Sequence, residues 1–546
     1  MTHATAAHAH VRDSVLAAAW REDVAGLRTH GVPGLDFTAR HLDFDQIEPT
    51  GPVRVDGREA TTAGLLERLG LGEPVLAEVT DAAANLGLAL ARRAAADEEL
   101  RAKAAELGAG SSIALARRLS VSPAFEPCLF FERLAVHGHH LHPCARTRLG
   151  MDTADLLVHD LEGPGAPIRF LAARSDRLRL SGPTDAATLL REGHPELDKA
   201  LAEGLRPGET AIPVHPWQYG NVVRQRYGGL FADGTLRELP GASLPSEPTI
   251  SLRTLVTAPG TDGRRWQVKC ALDVQITSTR RTISAATAHN GPAVSAALGR
   301  IAAADPLLAA RVGVLPELAG VSVRGEGGVT RDLTSVLREG FGSHTRPGEL
   351  PVPGCALYAR SPIGGRSVLA ELVAEHGDPA DFLARYVDLV VPPVLRLAAM
   401  GVGLEAHLQN SVPVFVGGTP VRMLFRDWGG ARLHGARMAA AGHALDLYPG
   451  SVVATESLDT MRAKVAYTAF QAHLGEIVRL LAAEFGLPTR ESWRLVAAAV
   501  AEHAAPEDRE FFLGPTLPHK ALLTMRVRGD GDHYVPVRNP MREEGR

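Results

Sequence analysis

The stretch from Thr80 to Leu107 constrains this chain most, because it is rich in alanine, leucine, arginine and glutamate, spaces its apolar residues by three and four, and stops at Gly108 and Gly110. That periodicity predicts one long helix. A second amphipathic stretch near Val15 to Leu27 makes residues 1–136 a mainly helical region. From His137 to about Val336 the texture changes to short apolar runs broken by glycine and proline, as in Ala211–His215 and Gln267–Ile276, which predicts strands over a β-rich region, 137–345. Glu339 to Gly354, with four glycines and three prolines, reads as a loop or linker. Beyond it, Phe382–Met400, Leu458–Phe485 and Glu491–His503 predict helices around one β-hairpin in a third region, 346–546. The expected class is α+β.

A length of 546 residues exceeds what one hydrophobic core supports, so two or three domains are expected. A net charge of -4 over that length argues against nucleic-acid and membrane-surface partners. No apolar run has the length of a membrane span, and the N-terminus is polar, so the expectation is a cytoplasmic enzyme of small molecules. The four cysteines lie far apart, which suggests neither a zinc ribbon nor a disulfide framework. Lysine occurs only five times (Lys103, Lys199, Lys269, Lys464, Lys520), as does asparagine (Asn85, Asn221, Asn290, Asn410, Asn539), so the survivors merit inspection.

Two β-prone runs, Val412–Val416 and Val421–Phe425, flank Gly417-Gly418-Thr419 and predict a hairpin. With its turn centred between Gly418 and Thr419, Asn410 and Asp427 fall opposite each other at the open end. An amide oxygen and a carboxylate there suit a magnesium ion carrying nucleotide phosphates, and protein kinases use a related pair. The alternative is a turn-capping Asn and a strand-ending Asp. Glu405, His407 and Gln409 would share one face of an extended segment.

Thr249–Thr254 places two hydroxyls and a guanidinium within a proline-flanked loop, a group that can clasp phosphate oxygens. Lys269 sits in a strand-like run, where an ammonium is costly unless it reaches an anion, and Arg281 closes the run. Neither a Walker A loop nor a G-x-G-x-x-G fingerprint occurs. Between Glu132 and Gly150 lie four histidines within six residues. Read as a strand, it puts His140 and His142 on one face and His137 and His139 on the other. Arg146 and Arg148 follow, and neighbouring cations favour an anion over a metal, although structural histidines and a zinc site remain open.

In this order the pieces resemble the IucA/IucC family of siderophore synthetases that work independently of non-ribosomal peptide synthetases. The resemblance runs from Gly138-His139-His140-Leu141-His142-Pro143 to Gly150 through His215-Pro216-Trp217-Gln218, Ser251-x-Arg253-Thr254, Lys269, Ile276–Ser278 with Arg281, Glu405-x-His407-x-Gln409-Asn410 and Arg426-Asp427 to Lys520–Arg526 and Asn539-Pro540. His140 stands where the family pattern has proline and Arg146 where it has lysine, which leaves substrate choice there open.

The resemblance implies a hand-like fold of helical thumb, β-rich fingers and a mixed palm with a kinase-like hairpin and an FhuF-like C-terminal region. It also implies that ATP adenylates a carboxylate of citrate or a related acid and that an amine, hydroxylamine or alcohol then attacks, releasing AMP and pyrophosphate. By the same resemblance Ser251, Arg253, Thr254, Lys269, Arg281 and Gln409 hold ATP, and Glu405, Asn410 and Asp427 hold Mg²⁺. His139, His142, Arg148, Thr277, His407 and Lys520 meet the substrates, with His139, Arg281, His407 and Lys269 at the chemistry, in a homodimer. A kinase-like phosphotransferase is the runner-up. A ferric-siderophore binding or reductase protein is the third reading, although no cysteine follows Cys355 to hold a cluster.

Overall fold

The computed structural model describes residues 2–325, 328–529 and 531–542. The first helix, His3–Arg21, begins earlier than its apolar periodicity suggested because the Thr2 hydroxyl caps the Thr5 N–H, and it ends where Asp23 and Ala25 adopt left-handed backbone. The long helix, Glu73–Glu106, likewise starts a turn and more upstream, with Pro74 in its first turn, where a missing N–H costs nothing. The two pack through Val11, Val15, Leu16 and Ala19 against Val75, Val79, Ala82 and Leu86. Truncating Leu16 to alanine there costs roughly 2–5 kcal/mol.

The middle of the chain is β-rich. A six-stranded antiparallel sheet runs in the order Ser246–Pro248, Thr254–Thr257, Trp266–Cys270, Gly328–Glu339, Glu317–Gly325, Leu178–Ser181. The helix Ala285–Ala304 lies against Glu317–Gly325. A second sheet has Ile168–Arg174 between Glu209–Val214 and Leu236–Leu244. Alternating side chains of both sheets meet in one core around Phe170, Leu255, Val268 and Leu337.

The loop or linker read over 339–354 is not a free linker. Phe341–His344 forms a 3₁₀ turn, Leu350–Pro351 pairs with the hairpin strand Ser411–Val416, and Arg422 ties the loop down through Glu349 and the His344 carbonyl. The C-terminal helices stand close to expectation, as Pro379–Ala399, Thr489–His503 and a continuous Leu458–Phe485. The last is widened to a π-helix over Ala466–Leu474, all of it buried. No described helix is long and apolar enough to cross a membrane.

The hairpin is present as Ser411–Val416 and Thr419–Phe425, but its register differs from expectation. Both turn residues are glycines at positive φ, Gly417 and Gly418, so the turn centre lies one residue earlier, and a bulge at Val414/Phe415 recovers only part of the shift. Asn410 therefore accepts at its carbonyl from the N–H of Arg426, not of Asp427.

Candidate active site

One cleft of about 640 Å³ gathers Ser251, Arg253, Lys269, Thr277, Arg281, His139, His142, Arg148, Glu405, His407, Gln409, Asn410, Asp427 and Lys520. Its first wall is the loop between Ser246–Pro248 and Thr254–Thr257. Thr249 donates both its N–H and its hydroxyl to the Thr254 carbonyl at 3.0 Å, closing the loop and throwing Leu252 into φ +60. A non-glycine held there is strained and persists because its surroundings over-determine it. Leu252 is fully buried against Trp217, and Gln218 bridges the Asp332 carbonyl and the Asp273 N–H. The His215–Gln218 motif is thus scaffold behind the loop. In front, Glu132 accepts from the Ile250 N–H at 2.7 Å and from Arg426 at 2.5 Å, and Arg426 also reaches the Gln409 carbonyl at 3.0 Å. One buried carboxylate therefore holds the loop to the hairpin end.

The cations come next. Lys269 lies opposite Thr254 in the sheet, with its ammonium 2.5 Å from Asp427. Arg281 donates to the Thr277 hydroxyl at 2.6 Å, and Arg253 reaches only the carbonyls of Arg281 and Thr282 at 3.5 and 3.4 Å. Neither guanidinium forms an ion pair among the described residues. Burial, then repulsion from Arg253 and Arg148, disfavours the charged form of Arg281. Burial also lowers Arg253 and Lys269, although Asp427 pulls both the other way. For Asp427, burial opposes ionisation, but Lys269, Arg253 and Arg338 outweigh it and hold the carboxyl below its ordinary value. Positive potential in a partly dry cleft attracts anions.

The segment before the hairpin is a series of turns, not the extended strand expected, yet Glu405, His407 and Gln409 all face the same cleft. Glu405 is half-buried yet ionised, since Lys464 at 3.0 Å, His407 and Lys520 overcome the desolvation and bring its pKa to about 2. A Cβ on Gly430 would stand 1.8 Å from the Glu405 carboxylate, so any side chain there would have to displace that carboxylate. Asn410 donates its amide N–H to the Glu405 carbonyl at 3.2 Å, which leaves its side-chain oxygen as an acceptor. Asp427 sits at φ +69. Glu405, Asn410 and Asp427 thus line one cleft with oxygen donors of the hard type that Mg²⁺ takes, each carboxylate paired here with a lysine.

The histidine segment is also a run of turns, so the alternation of faces expected for a strand does not apply. His139, His140 and His142 all line the cleft, while His137 packs on His10 with ring centroids 4.7 Å apart. His139 accepts the Leu141 N–H at Nδ1, so its proton is on Nε2. By the same logic His142 accepts from Cys144 at Nδ1 and donates to the Ser278 hydroxyl at 2.6 Å. Burial, with repulsion from His407, pushes His139 down to about 3, so it acts as a neutral N–H donor. Thr277 turns a tight hairpin at φ +56, and Lys520 pairs with Asp532 at 2.7 Å.

Three sequence expectations need correction. Arg146, read as an anion ligand, is 2% exposed and bonded to Asp160 at 3.1 Å and Glu162 at 2.8 Å. Arg148 reaches the cleft, but it shares Asp160 and donates to the Ala145 and Thr147 carbonyls. Thr254 is buried in the sheet and closes the loop by its carbonyl; it is not among the cleft-lining residues. Conversely, Glu132, Ser278, Lys464 and Asp532 complete the site without having been singled out as ligands. Lysine scarcity was the available signal, since three of the five lysines (Lys269, Lys464, Lys520) converge here whereas Lys103 and Lys199 are exposed.

The profile of the IucA/IucC family matches residues 127–359, which carry the loop, Lys269, Arg281 and the histidine turns. Over those residues the chain is similar to the IucA/IucC family. A second profile, of the ferric iron reductase FhuF-like transporter, matches residues 380–535. Staphyloferrin A synthase of Staphylococcus aureus is 25% identical over 443 residues, 76% of this chain and 73% of that protein. D-ornithine--citrate ligase of the same organism is 25% identical over 466 residues, 76% and 70%. In fold, the ATP-bound aerobactin synthetase IucA of Klebsiella pneumoniae superposes with a TM-score of 0.75 at 18% identity, covering 100% of both chains. The chain shares the mixed α/β fold of that synthetase.

Proposed function

We propose that the chain is an ATP-dependent siderophore synthetase that adenylates one carboxylate of citrate or a related acid and joins it to an amine, hydroxylamine or alcohol. The observation that carries this reading is the pair of half-buried guanidiniums, Arg253 and Arg281, facing the cleft beside Lys269 with no carboxylate of their own. Two uncompensated cations are costly until an anion arrives. The ATP in the Klebsiella relative and the citrate and ornithine in the name of the staphylococcal ligase supply the chemistry in which such a site fits.

In this reading Ser251, Arg253, Lys269 and Arg281 take the phosphates, with Gln409 beside them. As the acid's carboxylate attacks the α-phosphorus, the bond to pyrophosphate breaks, and these cations offset the charge that builds on both sides. Glu405, Asn410 and Asp427 would hold Mg²⁺, which supplies further charge compensation for the phosphates. Nucleotide binding then separates Lys269 from Asp427, each finding its own partner. The N–H of neutral His139, His407, the Thr277 hydroxyl and Lys520 orient the acid. The amine then attacks the acyl carbon, AMP leaves, and no protein nucleophile is required.

We read the chain further as thumb 1–136, fingers 137–345 and palm 346–546, with the Ser411–Phe425 hairpin as the palm's kinase-like element, acting in the cytoplasm as a homodimer. The kinase reading draws on that hairpin alone, and the reductase reading finds no cysteine within 380–535. Hydroxylamine trapping with ATP, Mg²⁺ and a panel of acids (citrate, succinyl-amines, 2-oxoglutarate) tests the proposal. Hydroxamate with AMP and pyrophosphate is the expected result; ADP with a phosphorylated acid would overturn it.

A further inference from the structure

The inner end of the cleft is built differently from its phosphate side. His140 stacks on His139 and leans on Tyr358, with ring centroids 5.3 and 5.2 Å apart. Beside them Tyr467, in the π-helical turn, packs with Leu141, Leu522 and Met525. His140 Nε2 and the Tyr467 hydroxyl are buried and find no hydrogen-bond partner among the described residues. Behind this wall stands Arg21, 3% exposed, which forms no ion pair among the described residues. Its one side-chain hydrogen bond, at 3.3 Å, goes to His519 Nε2, and its Nε has no partner. The nearby acids are engaged elsewhere, Glu22 with the N–H groups of Leu523 and Thr524, and Asp45 with Arg28 and Arg538. Arg21 is accordingly a buried positive charge whose field reaches Tyr467 and His140.

The carboxylates of the cleft point the same way. Only Asp427, Glu405 and Asp532 line it among the described residues, and each already has a lysine, Lys269, Lys464 and Lys520 respectively. A substrate's second ammonium would find no free acid here. A carboxylate would find a phenol that donates, since burial holds Tyr467 protonated, and a cation behind it.

We propose that this wall, with Tyr467 in front and Arg21 behind, receives a carboxylate of the acyl-accepting amine, so that the second substrate is an amino acid and not a diamine or polyamine. The inference rests on the ligase reading and narrows it. An unpaired buried cation and an unpaired buried donor discriminate strongly, because a ligand lacking the matching group leaves both unsatisfied.

The test uses the full chain with ATP, Mg²⁺ and whichever acid supports hydroxamate formation, and amines in pairs that differ only by a carboxylate: ornithine and putrescine, lysine and cadaverine, 2,3-diaminopropionate and ethylenediamine. The amino acid of each pair is expected to have at least about tenfold higher kcat/KM. Tyr467→Phe, which removes one oxygen and no volume of consequence, is expected to raise KM for the amino acid about fivefold and to leave KM for its decarboxylated partner within twofold. Equal or better use of the diamines would overturn the inference while leaving the ligase reading standing, as would a Tyr467→Phe effect that falls on the acid's KM in the hydroxylamine assay. Failure to form hydroxamate from any acid would remove both.

Discussion

Two arginine pairs sit on the walls of the same cleft and behave in opposite ways. Arg146 and Arg148 share the buried carboxylates Asp160 and Glu162, so their charge is spent inside the protein. Arg253 and Arg281 have only hydroxyl and carbonyl oxygens. The first pair is a strut between the histidine turns and the segment after them; the second waits for an anion. Position near a motif therefore does not make an arginine a ligand. What decides is whether the fold has already supplied its counter-charge.

The sharpest way to break this contrast is at Lys269, the cation between the two regimes, since it has a carboxylate partner yet belongs to the phosphate side. Lys269→Ala is expected to lower acid-dependent pyrophosphate release by on the order of 10³-fold in a protein that still melts cooperatively. Normal turnover by that folded variant would remove Lys269 from the chemistry. Arg146→Met should instead act on stability, costing about 3 kcal/mol by stranding Glu162 and leaving Asp160 to Arg148 alone, and Glu162→Gln added to it should return part of the loss. A melting temperature equal to wild type, with activity gone, would invert the comparison. Arg281→Met is expected to lose about 10²-fold in kcat/KM for ATP and to cost no stability, because it removes an uncompensated charge; a clear drop in chemical-denaturation midpoint would count against the anion-site reading.

The smallest effect concerns pH. Burial brings His139 and His215 down to about 3 and His473 to about 4, below the ordinary value of 6.5 that holds in the unfolded chain. Between those limits the unfolded state binds more protons, so the stability these neutral histidines allow is present above pH 6.5 and lost as pH falls toward 3. Each group contributes up to about 1.4 kcal/mol per pH unit. His139→Asn should flatten the decline in urea midpoint between pH 6.5 and 4.5; an unchanged slope would mean His139 is already charged.

The long helix, the hairpin and the clustering of chemistry-bearing residues were legible because each leaves a local mark: a period of 3.6, a Gly-Gly turn, a surviving lysine. The register was not. One residue of turn placement at Gly417-Gly418 and one bulge at Val414 decided that Asn410 faces Arg426, and such choices follow from sheet packing more than from composition. The histidine and Glu405 segments fold as irregular turns, not strands, and their polar groups reach the cleft through tertiary contacts that no local period marks.

The sequence by itself determined which groups are present and in what order, and that order sufficed to point to the family and to an anion-handling cleft. Tertiary structure alone decided which charges cancel. Ion pairing depends on distances across hundreds of residues, as between Glu132 and Arg426, Lys269 and Asp427, or Arg21 and the acids it lacks, and a linear pattern carries no such distances.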